Sequence, residues 1–439
     1  MSTPSDNLKV SFHTLGCKLN FAETSVIGKL LADKGFIRVR EYENPDICVV
    51  NTCSVTETAD KKGRRLIRHL HTVNPDAAIV VTGCYAQLKP RQVAELPGVA
   101  IVAGNDEKLL LDSFIDSWLA SRKPLARVIP ARDIREFRPA CERGDRTRWF
   151  LKVQDGCDCW CTYCTIPAAR GRSRSGYIPD LVAQARHVAD SGGREIVLTG
   201  INIGDFGKGR DDTFLDLIQA LDRVEGIARY RISSIEPDLL TPQIIEWIAS
   251  CSRAFMPHFH IPLQSGSDAV LSLMRRRYDT ALFASRIQLL RSLSPDCFIG
   301  VDIMAGARGE TPDEWHRSLE FVSSLPIQQL HVFPYSERPG TRALTIDHIV
   351  PQEEKHRRVA ALMRISDTKH DAFRRNADGS VRPVLWEAPH AGSELMYGFT
   401  DNYLRVAAPL RHDLVNTITP ARLSLGDHGS EVMRADILC

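Results

Sequence analysis

Between Gln154 and Pro167 the chain reads QDGCDCWCTYCTIP, which places four cysteines within eight residues. Three of them, Cys157, Cys161 and Cys164, form a C-x3-C-x2-C spacing. Thiolates are soft ligands for iron, and three on one short loop can hold three irons of a 4Fe-4S cluster while the fourth iron stays open to another ligand. A structural zinc site calls instead for four closed ligands, commonly in paired C-x2-C spacings, so zinc fits the pattern less well. Cys159 interrupts the spacing and reads as a non-ligand. Three further cysteines, Cys17, Cys53 and Cys84, stand 36 and 31 residues apart, one strand-helix unit each. Each ends a strand-like run, so the three thiols are expected to converge on one rim of a parallel sheet. The alternative is three unrelated small buried residues, the reading preferred for Cys48 inside DICVV.

The elements that would position these residues follow from the apolar pattern. LKVSFHTLG, DICVVNTC, AAIVVTGC and VAIVAGN alternate with helical stretches beginning near Asn20, Glu57 and Pro90, a βα repeat that predicts a parallel sheet over 1–119. Residues 120–147 read as a linker, broken by Pro124, Pro130, Pro139 and Gly144; over 120–148 nine basic residues face four acidic ones. That excess suits either phosphate contact or a solvated connection. From residue 148 a longer series follows: RWFLKVQ, REIVLTG, RYRISSI, PHFHIPL, FIGVDIM and QQLHVF. Helical patterns separate them at 178–191, 213–225, 240–250, 267–294 in two pieces, and 311–324. Six such units predict an open, partial (β/α)6 barrel with its chemistry at the carboxyl ends of the strands. A charged bridging helix over 351–376 completes a unit spanning 148–375. Residues 376–439 turn to short strands and predict a small antiparallel β-barrel. The fold class is therefore α/β, with a βα domain, a partial barrel and a β-barrel in that order.

Composition narrows the class. Hydrophobic residues at 43% and charged residues at 25% lie near globular averages, which removes disordered, collagen-like and coiled-coil readings. A formal charge of +2 creates no global field, so any nucleic-acid reading rests on local patches. Twelve cysteines in 439 residues are too few for a disulfide scaffold and suit a reducing compartment. MSTPSDNLKV lacks the pattern of a signal peptide and no window holds 18 uninterrupted apolar residues, so the chain reads as cytoplasmic, with no membrane partner.

The cluster loop resembles the radical S-adenosylmethionine (SAM) signature, in which an aromatic, here Tyr163, precedes the last cysteine. The resemblance implies that SAM chelates the open iron through its amino and carboxylate groups, and that reduction cleaves it to a 5′-deoxyadenosyl radical. SGGREIVLTGINIG (191–204) resembles the glycine motif of the second barrel strand, and RISSIEP and HIPLQSGS occupy the third and fourth. This implies SAM contacts at Tyr163, Gly200, Asn202, Glu236 and Gln264, although single residues at strand ends are also ordinary loop and cap positions.

HTLGCKLNFAET, VVNTCSVT and TGCYAQ ahead of such a barrel, with a small β-domain behind it, resemble the methylthiotransferases along nearly the whole chain. The resemblance implies a second, auxiliary 4Fe-4S cluster on Cys17, Cys53 and Cys84, whose free iron carries the sulfur that is methylated and inserted. GFTDNYLRV (398–406) resembles the TRAM domain, an RNA-binding module. TLGCKLN resembles the branch acting on threonylcarbamoyladenosine beside the tRNA anticodon more than the TFGCQMN style of the isopentenyladenosine branch or the LGCPKN style of the ribosomal-protein branch. The implied activity is insertion of a methylthio group at carbon 2 of that nucleoside, with SAM as methyl donor and radical source. The implied partners are tRNA, a flavodoxin- or ferredoxin-like low-potential electron donor, and a sulfur donor of unspecified identity. The arginines 170, 172, 174, 275, 276 and 277 (Arg170, Arg172, Arg174, Arg275, Arg276, Arg277) are expected to hold the tRNA backbone near the barrel mouth. GARGET (306–311) stands where the family commonly has GFPGET, so Arg308 replaces a proline that would stiffen the loop. Two other readings stay open: a methylthiotransferase for isopentenyladenosine or a ribosomal protein, and a non-catalytic iron–sulfur protein that binds RNA or carries electrons and cleaves no SAM.

Overall fold

The computed structural model describes residues 7–144, 146–389, 392–427 and 430–438. Residues 1–6 of the stretch read above for a leader lie outside them. The first unit comprises β1 (Lys9–Thr14), α1 (Lys18–Asp33), β2 (Ile37–Arg38), β3 (Ile47–Thr52), α2 (Glu57–Val73), β4 (Ala78–Gly83), α3 (Cys84–Leu88), α4 (Pro90–Ala94), β5 (Val99–Ala103), α5 (Leu111–Ser121) and β6 (Leu125–Arg127). Its six strands run parallel in the order β2-β1-β3-β4-β5-β6. β3 and β4 are buried throughout, which is why ICVVNT and AIVVTG are continuous rather than alternating runs. Two edge strands go beyond the sequence pattern. β2 is two exposed residues, and β6 lies in the stretch read as a linker, pairing Ile101 with Leu125 and Ala103 with Arg127.

The second unit comprises β7 (Cys141–Glu142), β8 (Trp149–Lys152), β9 (Gln154–Asp155), α6 (Ile166–Arg170), β10 (Arg174–Ser175), α7 (Ile178–Asp190), β11 (Glu195–Thr199), α8 (Phe214–Asp222), β12 (Arg229–Ile232), α9 (Pro242–Ser250), β13 (His258–Gln264), α10 (Asp268–Leu273), α11 (Thr280–Leu293), β14 (Phe298–Ala305), α12 (Pro312–Ser324) and β15 (Gln329–Pro334), with α13 (Gln352–Ala377) packed on β15. The predicted strands are β8 and β11 to β15. They form two parallel sets, β12-β11-β8 and β13-β14-β15, joined by single bridges at Tyr230↔Phe255 and Ser234↔His260. The barrel is thus partial and open. Ile196, Leu198, Ile261, Val301 and Leu330 join the core beneath the helices, so the alternate residues face the lumen. Those include Lys152, Glu195, Arg231, His258, His260, Asp302 and His331. Against the open side lies α1, whose Phe21 meets Phe150 edge-on at 5.3 Å and whose Ala22 packs with Phe150 and Val197.

The last unit, β16 (Val381–Trp386), β17 (Leu395–Thr400), β18 (Arg405–Pro409), β19 (Ile418–Ser424) and β20 (Met433–Ile437), closes in the order β16-β17-β18-β20-β19. One correction to the all-antiparallel expectation follows: β18 and β20 run parallel, Val406 beside Met433. An odd number of strands cannot close with antiparallel neighbours alone. This small barrel sits on the amino-terminal edge of the partial barrel. Arg229, opening β12, donates to the Phe399 and Pro383 carbonyls, Arg231 donates to those of Thr400 and Asp401, and Tyr403 stacks on His258 at 4.0 Å. The cysteine-rich loop leaves the opposite, carboxyl edge.

Candidate active site

Cys17 caps the amino end of α1, Cys53 follows β3, and Cys84 opens α3 directly after β4. The three therefore share one rim of the parallel sheet. Gly16 has φ +104°, and a Cβ there would stand 2.7 Å from that of Cys53, so only glycine lets the turn carrying Cys17 lie against Cys53. The three sulfurs influence one another. Burial pushes the Cys53 thiol up to about 11, with Cys84 and Cys17 adding to the rise. Burial likewise raises Cys17, opposed by the nearby Arg170 guanidinium. Asn105, just past β5, brings its amide within 3.9 Å of the Cys84 sulfur and donates to the Ala169 carbonyl at 2.7 Å. It was findable as the polar residue ending the fourth predicted strand, on the rim where the thiols gather.

In the second loop each sulfur accepts one N–H. Cys157 takes the Cys159 amide at 3.4 Å, Cys164 takes the Ile166 amide at 3.4 Å, and Cys161 takes Arg276 Nη1 at 3.2 Å. Such bonds favour thiolates, yet burial pushes Cys164 up to about 12, so the charge must come from a bound cation. Among the described residues no three of His, Cys, Asp or Glu converge as a single ion requires. Gly156, at φ +71°, holds the turn before Cys157 so tightly that a Cβ would lie 2.0 Å from the Arg172 carbonyl.

The remaining predicted residues surround this loop. Tyr163 is packed with Val270, Met274, Met304 and Ala307 and accepts a hydrogen bond from Arg276 at 3.4 Å. Arg276 also ion-pairs with Glu236, whose carboxyl is pushed up to about 7 by burial in spite of that partner. Gln264 sits at a register shift of β13 with φ +67°. Gly200 leaves room for the Gln154 carbonyl, 3.1 Å from where its Cβ would be. Asn202 donates to Asp205 at 3.0 Å and to the Cys159 sulfur at 3.5 Å. Gln154 itself is a residue that sequence reasoning missed. It accepts the Ile201 and Asn202 amides at 3.0 and 2.8 Å and donates to the Gly156 carbonyl at 2.7 Å, tying the cysteine loop to the second strand's end. Its signal was a polar residue closing a buried strand.

Three of the six arginines expected to hold RNA require correction. Arg170 is 1% exposed and bonded to Glu23, Asp155 and Asn20. The Arg174 side chain is 11% exposed and bound to Asp155 and to the Arg170 carbonyl. The Arg276 side chain is 4% exposed and engaged at Glu236 and Cys161. Each runs inward because a buried carboxylate there needs a counter-charge. Arg172, Arg275 and Arg277 are exposed. Arg275 lines a cleft of about 560 Å³ beside the cluster loop with Trp160, Lys89, Arg338 and Arg342. Arg308 compensates for the missing proline by donating to the Leu344 and Ile346 carbonyls at 2.8 and 3.2 Å, which fixes its loop from outside.

Comparison with known proteins agrees with this layout. Residues 9–104 match the family described as "Uncharacterized protein family UPF0004", and residues 151–322 match the "Radical SAM superfamily". The chain is 38% identical to the Threonylcarbamoyladenosine tRNA methylthiotransferase MtaB of Bacillus subtilis, over 94% of this chain and 93% of that protein. It is 35% identical to the protein of the same name from Thermotoga maritima, over 90% of each. The tRNA-2-methylthio-N(6)-dimethylallyladenosine synthase of Desulfitobacterium hafniense is 29% identical over 93% of each chain. Among solved structures, the radical S-adenosylmethionine methyltransferase TsrM from Kitasatospora setae shares the fold, with TM-score 0.56 and 14% identity over 77% of this chain and 74% of that one.

Proposed function

The chain belongs to the radical SAM methylthiotransferase family, and from that premise we propose that it inserts a methylthio group at carbon 2 of N6-threonylcarbamoyladenosine in tRNA. SAM and 4Fe-4S clusters are the cofactors of this family. One observation carries the division of labour within the chain. The two cysteine triads lie on either side of α6: the Ile166 amide is on Cys164, while the Ala169 carbonyl meets Asn105, which reaches Cys84. In this reading Cys157, Cys161 and Cys164 hold one cluster and Cys17, Cys53 and Cys84 the other. When bound, SAM supplies both the methyl group and the radical.

The protein's own part is to position and to exclude water. Arg276 touches Cys161, Tyr163 and Glu236 together, so it orients the cluster loop against the third strand's end. Gly200, Asn202, Glu236 and Gln264 ring the same mouth and are assigned to SAM. The helix α1 covers the lumen's open side, which keeps a reactive intermediate from solvent. Arg172, Arg275 and Arg277 take the RNA backbone, and the cleft around Arg275 and Trp160 offers a ring and cations to an unstacked loop base. The TRAM-like barrel, at the far edge, would grip the same RNA away from the reacting base. The domains are assigned as read from the sequence, except that within 120–147 β6 extends the first sheet and β7 pairs antiparallel with β8. The electron donor is a low-potential flavodoxin- or ferredoxin-like protein, and the site of action is the cytoplasm; among the described residues no helix is long and apolar enough to cross a membrane.

The test is an anaerobic assay of reconstituted protein with SAM, a strong reductant and tRNA lacking only the methylthio group, read by nucleoside mass spectrometry. The 2-methylthio product should appear, and Cys17→Ala should lose it while 5′-deoxyadenosine still forms. If 5′-deoxyadenosine forms in the native protein without product, the substrate is wrong. If neither forms from protein holding both clusters, the catalytic reading fails.

A further inference from the structure

Lys18 follows the auxiliary-site Cys17 and is the first residue of α1. Two cations near it are committed, Arg231 to Glu195 and Arg148 to Glu387. Lys18 is not, for among the described residues it makes neither a hydrogen bond nor an ion pair and its side chain is exposed. Phe21 and Ala22, one turn further along the same face of α1, pack against Phe150 and Val197, which point into the lumen. The groups that act electrostatically on Lys18 are Tyr403, Arg148, Arg231 and Asp302. These come from the small barrel, the approach to β8, and strands β12 and β14, four places that meet only inside the partial barrel. Lys18 therefore extends from the auxiliary rim into the lumen. Asp302, the carboxylate among them, is already held by His260 at 2.7 Å, with the His331 ring tilted against that imidazole at 4.8 Å. The first turn of α1 contains no acidic residue to offset the positive end of the helix.

We propose that Lys18 is a specificity-determining residue that binds the carboxylate of the substrate's N6 substituent. The inference rests on the substrate reading above, in which that substituent is a carbamoylated threonine with a free carboxylate. Carbon 2 and carbon 6 of adenine flank the same ring nitrogen, so the atom that receives sulfur and the group on N6 lie along one edge of the base. A residue adjacent to Cys17 reaches the second when the first faces the auxiliary triad. An ammonium on a flexible stem forms a charge-assisted hydrogen bond to a carboxylate. An apolar N6 group would instead leave it desolvated and unpaired, the repulsive half of discrimination.

The experiment measures binding of the reconstituted protein to fluorescent anticodon stem-loops that differ only at N6 of one adenosine: threonylcarbamoyl, its carboxamide, and an apolar alkyl group. Native protein should bind the carboxylate RNA about 10-fold or more tightly than the carboxamide. Lys18→Gln should erase that preference and raise KM for the carboxylate RNA more than it lowers kcat, while Lys18→Arg, which keeps the charge, should retain most of it. Equal native affinity for carboxylate and carboxamide, with the carboxylate RNA still methylthiolated, overturns the role of Lys18 and leaves the substrate reading standing. A preference that survives in Lys18→Gln also overturns it. Failure of native protein to methylthiolate the carboxylate RNA while modifying the alkyl RNA overturns the substrate reading itself.

Discussion

Arg170 and Glu23 form a two-pronged ion pair, Nη1 to Oε1 and Nη2 to Oε2 at 3.2 Å each, between side chains 1% and 2% exposed. They lie 147 residues apart, one on the helix after the cluster loop and one on α1. Lys108 and Lys152 also bind Glu23, at 2.5 and 2.9 Å, and Asp155 takes Lys152, Arg170 and Arg174. Two carboxylates and four cations thus occupy the seam between the first sheet and the barrel. Arg170 also faces Cys17 and Cys84, so this seam sets how the two triads stand to each other.

Removing one member of such a network strands the others. Glu23→Ala should cost about 3–5 kcal/mol, because Lys108 is left without a carboxylate partner while Lys152 and Arg170 must share Asp155 alone. Arg170→Ala should cost less, since Glu23 keeps both lysines. Chemical unfolding of the three proteins checks this ranking, and iron content of the auxiliary triad should fall in both variants.

The same network predicts an acid response. The Glu23 carboxyl starts from 4.5 and that of Asp155 from 3.8, and in the folded chain both are lowered: burial alone would raise them, but Arg170, Lys108 and Lys152 around Glu23, and Lys152, Arg170 and Arg174 around Asp155, outweigh it. Their stabilisation is complete above the unfolded values and is lost as pH falls through the folded ones, because the unfolded chain binds protons first. Unfolding free energy measured from pH 7 down to pH 3 should drop more steeply below pH 5 in native protein than in Glu23→Gln. Parallel curves would refute the assignment.

Arg276 is predicted to tune the cluster assigned to Cys157, Cys161 and Cys164. It places a positive charge and an N–H on the Cys161 sulfur, and both stabilise the more negative, reduced state. Arg276→Met should shift the midpoint potential of that cluster to a lower value and slow 5′-deoxyadenosine formation about 10–100-fold. A spectroscopic redox titration of the reconstituted variant reads the first effect directly; an unchanged potential would leave Arg276 as packing alone.

The elements legible in the sequence were those whose pattern is local. All six barrel strands could be read because short apolar or alternating runs recur between stretches of helical periodicity, and the three amino-terminal cysteines because each closes one repeat. What stayed hidden depends on partners distant in the chain. Nothing near Arg170 announces Glu23, so a run of arginines read as a surface for the RNA backbone when its first member is the most buried. β6, with Leu125 half-buried and the next two residues exposed, has too little apolar signal to distinguish it from a linker. The seat of the small barrel on the strands' amino-terminal edge was illegible for the same reason, since it is made by arginine side chains reaching backbone carbonyls, which no motif encodes. Lys18 stood in plain view inside GCKLN, but only the fold shows that its neighbours belong to the lumen.

Tyr403 should prove the anchor of that seat. Its ring stacks on His258 at 4.0 Å and on Phe399 at 4.9 Å, and Arg231 lies 5.0 Å over its face. Tyr403→Ala removes the ring contacts between the two barrels while leaving the small barrel's own core of Trp386, Met396, Val406 and Leu423 intact. The expected cost is about 2–4 kcal/mol at the docking surface. Because Arg229 and Arg231 still bond to carbonyls across the interface, the unit should loosen rather than unfold. Limited proteolysis should then cut the segment after α13 faster than in native protein and release a folded fragment, and affinity for tRNA should fall if the small barrel binds RNA as proposed, because it is no longer held in register with the mouth. Unfolding of the fragment together with the rest of the chain would instead mean that the small barrel depends on its seat for stability.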